Sequence, residues 1–196
     1  MTARLLLGTR NPGKVAELRA LLRGLDLELV DVADLPDAPP EPAEDAPSYA
    51  ENAVTKAVAY ARGTGLPAVA DDSGLEVDAL GGAPGVRSRR FFGDVTPEER
   101  NRMLLGLLDG VSVRTARFVA VIALAQPDGR VETCDGEVRG EIAESPRGED
   151  GFGYDPVFVI AADGRTMAEV PREEKNAISH RGLAAAKLRV RLASDR

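Results

Sequence analysis

Residues 5–30 set the class of fold. Leu5-Leu6-Leu7 is an apolar run of strand length, and Gly8 to Gly13 is a turn containing Asn11 and Pro12. Val15, Leu18, Leu21 and Leu22 then recur at helical spacing, and Leu27–Val30 reads as a second strand. Pro127-Asp128-Gly129, flanked by Ala116–Ala125 and Arg130–Thr133, reads as a hairpin, with a further strand near Glu137–Ile142. Strand–helix–strand at the start and hairpins later indicate an α/β fold with a mixed sheet. No linker separates independent domains, so residues 1–196 read as one domain.

The first turn also carries chemistry. Backbone N–H groups at a helix N-terminus point at an anion, the helix dipole favours it, and Lys14 adds a full charge. Gly8, four residues, Gly13 and Lys14 come within one residue of a Walker A loop, but Val15 stands where a magnesium-binding hydroxyl belongs. Pro12 also removes one backbone donor. Three readings are open here: a phosphate-binding loop of another kind, a true P-loop, and an ordinary strand-to-helix turn.

Composition narrows the partners. The formal net charge is −7, from 25 basic and 32 acidic residues, which disfavours a duplex-binding surface. Aromatics make up 4% of the chain and tryptophan is absent, which argues against a stacking platform for single strands. A small anionic ligand stays open, since one pocket can be basic on an acidic protein. Nothing approaches the ~18 apolar residues of a membrane span. Met1-Thr2-Ala3-Arg4 and the short apolar run after it are too brief for a signal peptide. Cys134, the single cysteine, permits no internal disulfide, so a cytoplasmic setting is expected, with Cys134 a structural residue in a strand.

Five prolines between Pro36 and Pro47 make that acidic stretch a loop. Ser48-Tyr49-Ala50-Glu51 is a capping box opening a helix. Its apolar stripe is read as Ala50, Ala53, Val54, Ala57, Val58 and Ala61, with Asn52 and Lys56 opposite and Gly63 and Gly65 at the end. Pro67–Ala70 is read as a short buried strand ending at Asp71-Asp72-Ser73-Gly74. Carboxylates at such a strand end can hold magnesium, although alternation offers a regular strand's metal only one of the two. An Asp turn capped by Ser73 and Gly74 is the competing reading. Thr96-Pro97-Glu98-Glu99 opens another helix, with Met103, Leu104, Leu107 and Leu108 as its apolar face.

Gly148–Asp155 reads as a loop before a strand at Pro156–Ile160. Within it, Phe152 can stack on a planar base and Asp155 can accept from ring N–H groups, or both can belong to a strand-entry turn. His180, the single histidine, lies between Ser179 and Arg181 at the start of a last helix running from about residue 181 to 192. That trio suits phosphate or purine contacts, and it equally suits a helix cap.

The order of these segments decides among the readings. Thr9-x-Asn11-x-x-Lys14-x-x-Glu17 comes first, then Ser48-Tyr49-x-Glu51-Asn52-Ala53-x-x-Lys56-Ala57, then Ala70-Asp71-Asp72-Ser73-Gly74-Leu75. Leu80-Gly81-Gly82-Ala83-Pro84-Gly85-Val86-x-Ser88, Gly151-Phe152-Gly153-Tyr154-Asp155-Pro156 and Glu174-Lys175-Asn176-x-Ile178-Ser179-His180-Arg181 follow. Together they resemble the inosine triphosphate pyrophosphatase family, whose bacterial members are also called XTP/dITP diphosphatases, over residues 5–190.

The resemblance implies hydrolysis of ITP, dITP and XTP to monophosphate and pyrophosphate with Mg2+, which removes deaminated purine nucleotides from the precursor pool. It implies a long mixed central sheet flanked by helices, two lobes with a cleft between them, and a homodimer. Carried over by position, Thr9, Arg10, Asn11, Pro12, Gly13 and Lys14 hold phosphates. Glu44 and Asp72 serve the metal, and Asp72 is also the base for water. Ser73 contacts substrate, while Phe152, Gly153, Tyr154, Asp155, Lys175, His180 and Arg181 hold base and phosphates. The chain departs from the family pattern at Arg10, Arg87 and Arg89. In Ala43-Glu44-Asp45-Ala46 the metal-binding position can fall on either acidic residue. A P-loop kinase or NTPase, and a nucleotide-binding module without turnover, are the rival functions.

Overall fold

A computed structural model describes residues 3–194. Met1 and Thr2, the start of the N-terminal segment read above, lie outside them. In chain order the elements are β1 (Ala3–Leu7), α1 (Pro12–Leu21), β2 (Leu27–Asp31), α2 (Tyr49–Thr64), β3 (Ala68–Val77) and α3 (Pro97–Leu107). Then come β4 (Thr115–Ala125), β5 (Val131–Ile142), β6 (Phe158–Ile160), α4 (Arg172–Ile178) and α5 (His180–Ser194). The six strands form one sheet in the order β2-β1-β3-β4-β5-β6. β1 runs parallel to both β2 and β3, while β5 and β6 are antiparallel, so the α/β fold has the expected mixed sheet. No helix among the described residues is long and apolar enough to cross a membrane.

Contacts divide the chain into two compact units. The first comprises Met1–Asp72, Ala120–Gly136 and Arg181–Arg196, and the second Ser73–Val119 and Glu137–His180. Each has its own core. In the first, Leu5 and Leu7 of β1 pack with Leu18 and Leu22, Val69, Ile122, Leu124 and Leu188. Val15 packs against that cluster, so a hydrophobic residue at this position is accounted for by packing. In the second, Leu75 and Val77 of β3 join Leu104, Leu108, Phe118, Ile142, Phe158 and Met167.

Several local expectations are corrected. β3 does not stop at Ala70 but continues through Asp71-Asp72-Ser73-Gly74 to Val77, so neither aspartate ends the strand. On α2 the buried stripe is Tyr49, Asn52, Ala53, Lys56, Ala57, Tyr60 and Ala61, which places Asn52 and Lys56 inside while Ala50 is exposed. Gly63 lies within that helix against Pro39, and Gly65, in the left-handed conformation, alone caps it. On α3, Leu104 and the capping Leu108 are buried while Met103 and Leu107 are exposed. The Thr96 capping box forms with both reciprocal hydrogen bonds. A separate short helix, α4, precedes α5 and was not read from the sequence.

Candidate active site

In the first unit, Asn11 caps α1 by accepting from the backbone N–H groups of Gly13 at 2.9 Å and Lys14 at 3.3 Å. Thr9, buried, accepts from the Asn11 N–H through its hydroxyl at 3.2 Å. Pro12 is the first helical residue, where its missing N–H costs nothing. Gly8 is required by close approach, because a Cβ there would meet Tyr60 and the Val69 carbonyl. Arg10 is exposed and donates to the Pro39 carbonyl at 3.3 Å, tying the turn to the acidic loop.

The turn aims Lys14 at β3. Its ammonium lies 3.2 Å from the Asp71 carboxylate and donates to the Asp71 carbonyl at 3.4 Å. Lys56 donates to the same carbonyl at 2.6 Å and pairs with Glu44. Arg181, at the start of α5, donates to Asp71 Oδ2 through Nε at 3.0 Å and Nη2 at 2.9 Å, and pairs with Glu17 of α1. Asp71 is fully buried and Arg181 is 2% exposed, so the centre of this ion network lies inside the protein. Asp72 points elsewhere: its Oδ2 accepts from Asn52 Nδ2 at 2.9 Å. Asn52 also exchanges hydrogen bonds with the Ala46 backbone, which pins the acidic loop next to Glu44. Glu44 is half-buried and Asp45 exposed.

The two neighbouring aspartates titrate in opposite directions. Burial alone would raise Asp71, but Arg181, Lys14 and Lys56 together hold it well below the usual carboxylate range. Asp72 is raised, chiefly by burial and further by the charge of Glu44, against the pull of Lys56 and Asn52. Burial lowers Lys14 despite the neighbouring Asp71. Lys56 is raised because Asp71 and Glu44 outweigh its burial. Glu44 would be raised by burial and is lowered by Lys56. Asp71 is thus a permanent anion that organises cations, while Asp72 is a more basic carboxylate able to take a proton.

The second unit holds the 151–155 loop. Asp155 Oδ2, buried, accepts from the Phe152 N–H at 2.8 Å and from Lys175 Nζ at 2.7 Å. The Lys175 ammonium also lies 5.1 Å from the centre of the Phe152 ring. A Cβ on Gly151, whose φ is +83°, would strike the Asp155 carboxylate. The Tyr154 hydroxyl donates to the Ser88 carbonyl at 3.0 Å, and burial raises its pKa to about 12. Asn101 of α3 donates to the Gly153 carbonyl at 3.0 Å. His180 is buried and stacks on Phe118 at 4.8 Å between ring centres, with the planes 13° apart. Ser73, half-buried, follows Asp72 directly in β3.

Residues 5–191 match the Ham1 family. The chain belongs to the Ham1 family. A dITP/XTP pyrophosphatase of Geobacter sulfurreducens is 51% identical over 189 residues, covering 95% of this chain and 94% of that protein. A dITP/XTP pyrophosphatase of Symbiobacterium thermophilum is 52% identical over 191 residues, covering 96% and 94%. The solved structure of a HAM1 protein from Coxiella burnetii superposes with a TM-score of 0.89 at 42% identity, covering 98% of this chain and 99% of that one.

Within this Ham1 chain, the sequence-predicted residues fall into the two sets just described. Lys14, Glu44, Asp72 and Arg181 meet in the first unit, and Phe152, Asp155 and Lys175 in the second. Glu17, Asn52, Lys56 and Asn101 were not singled out as site residues, although the structure gives each a polar contact to one that was, and Asp71, read with Asp72 as a magnesium candidate, instead binds Arg181 and Lys14. The signal lay in Asn52 and Lys56, one helical turn apart beside an apolar stripe.

Proposed function

We propose that this chain hydrolyses dITP, XTP and ITP to the monophosphate and pyrophosphate by attack of water at the α-phosphorus. One observation carries the mechanism: Asp72, buried and raised in pKa, is oriented by Asn52 beside the cations that Asp71 gathers. Identity of about half the residues to proteins named dITP/XTP pyrophosphatase supports the substrate class.

The carboxylates of Glu44 and Asp72 repel one another, and both present hard oxygen donors. That set fits a divalent cation such as magnesium, which prefers one or two carboxylates and completes its shell with water and phosphate oxygens. Glu44 and Asp72 would be the protein's share of such a site. Magnesium bound there would neutralise charge on the phosphates.

The chain's own residues do the rest. Phosphoryl displacement needs mainly positioning and charge compensation. The dipole at the α1 N-terminus and Lys14 hold the triphosphate tail, and Lys14, lowered by burial and paired with Asp71, gains a further charge partner when phosphate arrives. Asp72 takes the proton from the attacking water, and its raised pKa makes it a better base than Asp71. Phe152 offers a stacking face for the base. Lys175 offers a donor that suits a 6-oxo oxygen and repels a 6-amino group. The homodimer implied by the family resemblance belongs to the same proposal, and sedimentation of the purified chain tests it.

The deciding experiment is a panel of nucleoside triphosphates with magnesium, reading pyrophosphate and orthophosphate separately. Pyrophosphate from dITP and XTP, with little from dATP, is expected. Orthophosphate release would support the P-loop alternative, and tight binding without turnover would support a binding module.

A further inference from the structure

We infer that Asn101 is a positioning residue for base selection, acting through the Gly153 carbonyl. The inference rests on the reading of Phe152, Asp155 and Lys175 as the base-holding set.

Asn101 occupies a buried position on α3, 4% exposed, one turn before the buried Leu104. Packing and helix propensity both favour leucine at such a site. The carboxamide is also poorly compensated. Its Nδ2 donates to Gly153 at 3.0 Å, while its buried Oδ1 has no hydrogen-bond partner among the described residues. A buried amide that is half satisfied destabilises the fold relative to an apolar side chain of similar shape. What the asparagine supplies in return is one bond, to a loop 52 residues away.

Other bonds hold much of that loop, including a backbone bond from the Asp155 N–H to the Phe152 carbonyl at 3.3 Å. Asp155 fixes the Phe152 N–H and Lys175, and Tyr154 is anchored to Ser88. Ser88 is itself fixed, since its hydroxyl accepts from the Leu75 N–H at 2.8 Å. Gly153 lies between these anchors at φ +67°, has no side chain, and a Cβ there would meet nothing within 4 Å. The Asn101 amide is its side-chain tether, and it sets the peptide that joins the Phe152 ring to the Asp155–Lys175 pair. Losing the tether lets a glycine peptide rotate, which loosens the spacing between a stacking face and a hydrogen-bonding head. Selection between 6-oxo and 6-amino purines depends on that spacing.

The test uses Asn101→Leu, with Asn101→Ser as a second variant should the first not fold, and Phe152→Ala as the control for the base-holding set. The expected result for Asn101→Leu is an unchanged or higher Tm. KM for dITP rises about tenfold, kcat stays within about twofold, and the preference for dITP over dATP in kcat/KM falls about tenfold. Inhibition by inorganic tripolyphosphate, which has no base, stays unchanged. A purely structural Asn101 would lower Tm on substitution and leave the KM-to-kcat split and the preference alone. If Phe152→Ala lowers the preference while both Asn101 variants keep it, the role of Asn101 is overturned and the base-holding set stands. If Phe152→Ala also keeps it, both are overturned.

Discussion

Asp71→Asn separates the organising carboxylate from the reacting one. The side chain is fully buried and accepts two hydrogen bonds from Arg181, with Lys14 at 3.2 Å. The variant keeps the shape and removes the charge, so Arg181 keeps its pair with Glu17 but loses Asp71, and Lys14 loses the carboxylate 3.2 Å away. Breaking a buried pair by removing one partner costs about 3–5 kcal/mol. For a chain of this length each kcal/mol moves Tm by about 2–4 °C, so calorimetry at pH 7 should show a drop of roughly 6–20 °C. The deficit is also pH-dependent. Because Asp71 titrates lower in the folded than in the unfolded state, its stabilisation is complete above the unfolded value of about 3.9 and is lost as pH falls further. The gap between wild type and variant should therefore be constant from pH 7 to about 5 and narrow below about 4. A Tm drop under about 2 °C at pH 7, or a gap that stays constant down to pH 3, would refute the assignment of Asp71 as a buried permanent anion.

Two further predictions concern the reacting groups. Asp72→Asn should lower kcat by about a thousandfold or more while leaving Tm equal or higher, because the carboxylate it replaces is raised in pKa by the fold. In the metal-free wild type, Asp72 should titrate above the ordinary aspartate value in an NMR pH titration, and magnesium should lower it. Near-normal turnover in the variant would remove Asp72 as the base. Lys14→Ala should weaken triphosphate binding more than monophosphate binding in calorimetric titrations. Equal losses would move Lys14 away from the phosphate tail.

The opening strand, turn and helix were legible because their signals are local: an apolar triplet, a turn with Asn11 and Pro12, and helical spacing. The course of β3 was not. Asp71-Asp72-Ser73-Gly74 carries turn propensity, and it stays extended because Arg181, 110 residues downstream, neutralises Asp71. The same long-range compensation hid the stripe of α2. Lys56 belongs to the inner face once Glu44 and the Asp71 carbonyl receive its ammonium, and no periodicity of apolar residues announces that. Among the candidate site residues, Lys14 stood out by its place at a helix start, whereas local sequence did not separate Asp71 from Asp72 and only the family resemblance pointed to Asp72. Glu44 and Asp45 are alike in sequence, and the structure distinguishes them by burial and by the charge coupling of Glu44 to Asp72.

Hydrolysis of dITP in 18O-labelled water under single-turnover conditions tests the central claim most directly. Attack at the α-phosphorus predicts the label in the monophosphate, with unlabelled pyrophosphate released. Label in pyrophosphate, or release of labelled orthophosphate, would contradict it.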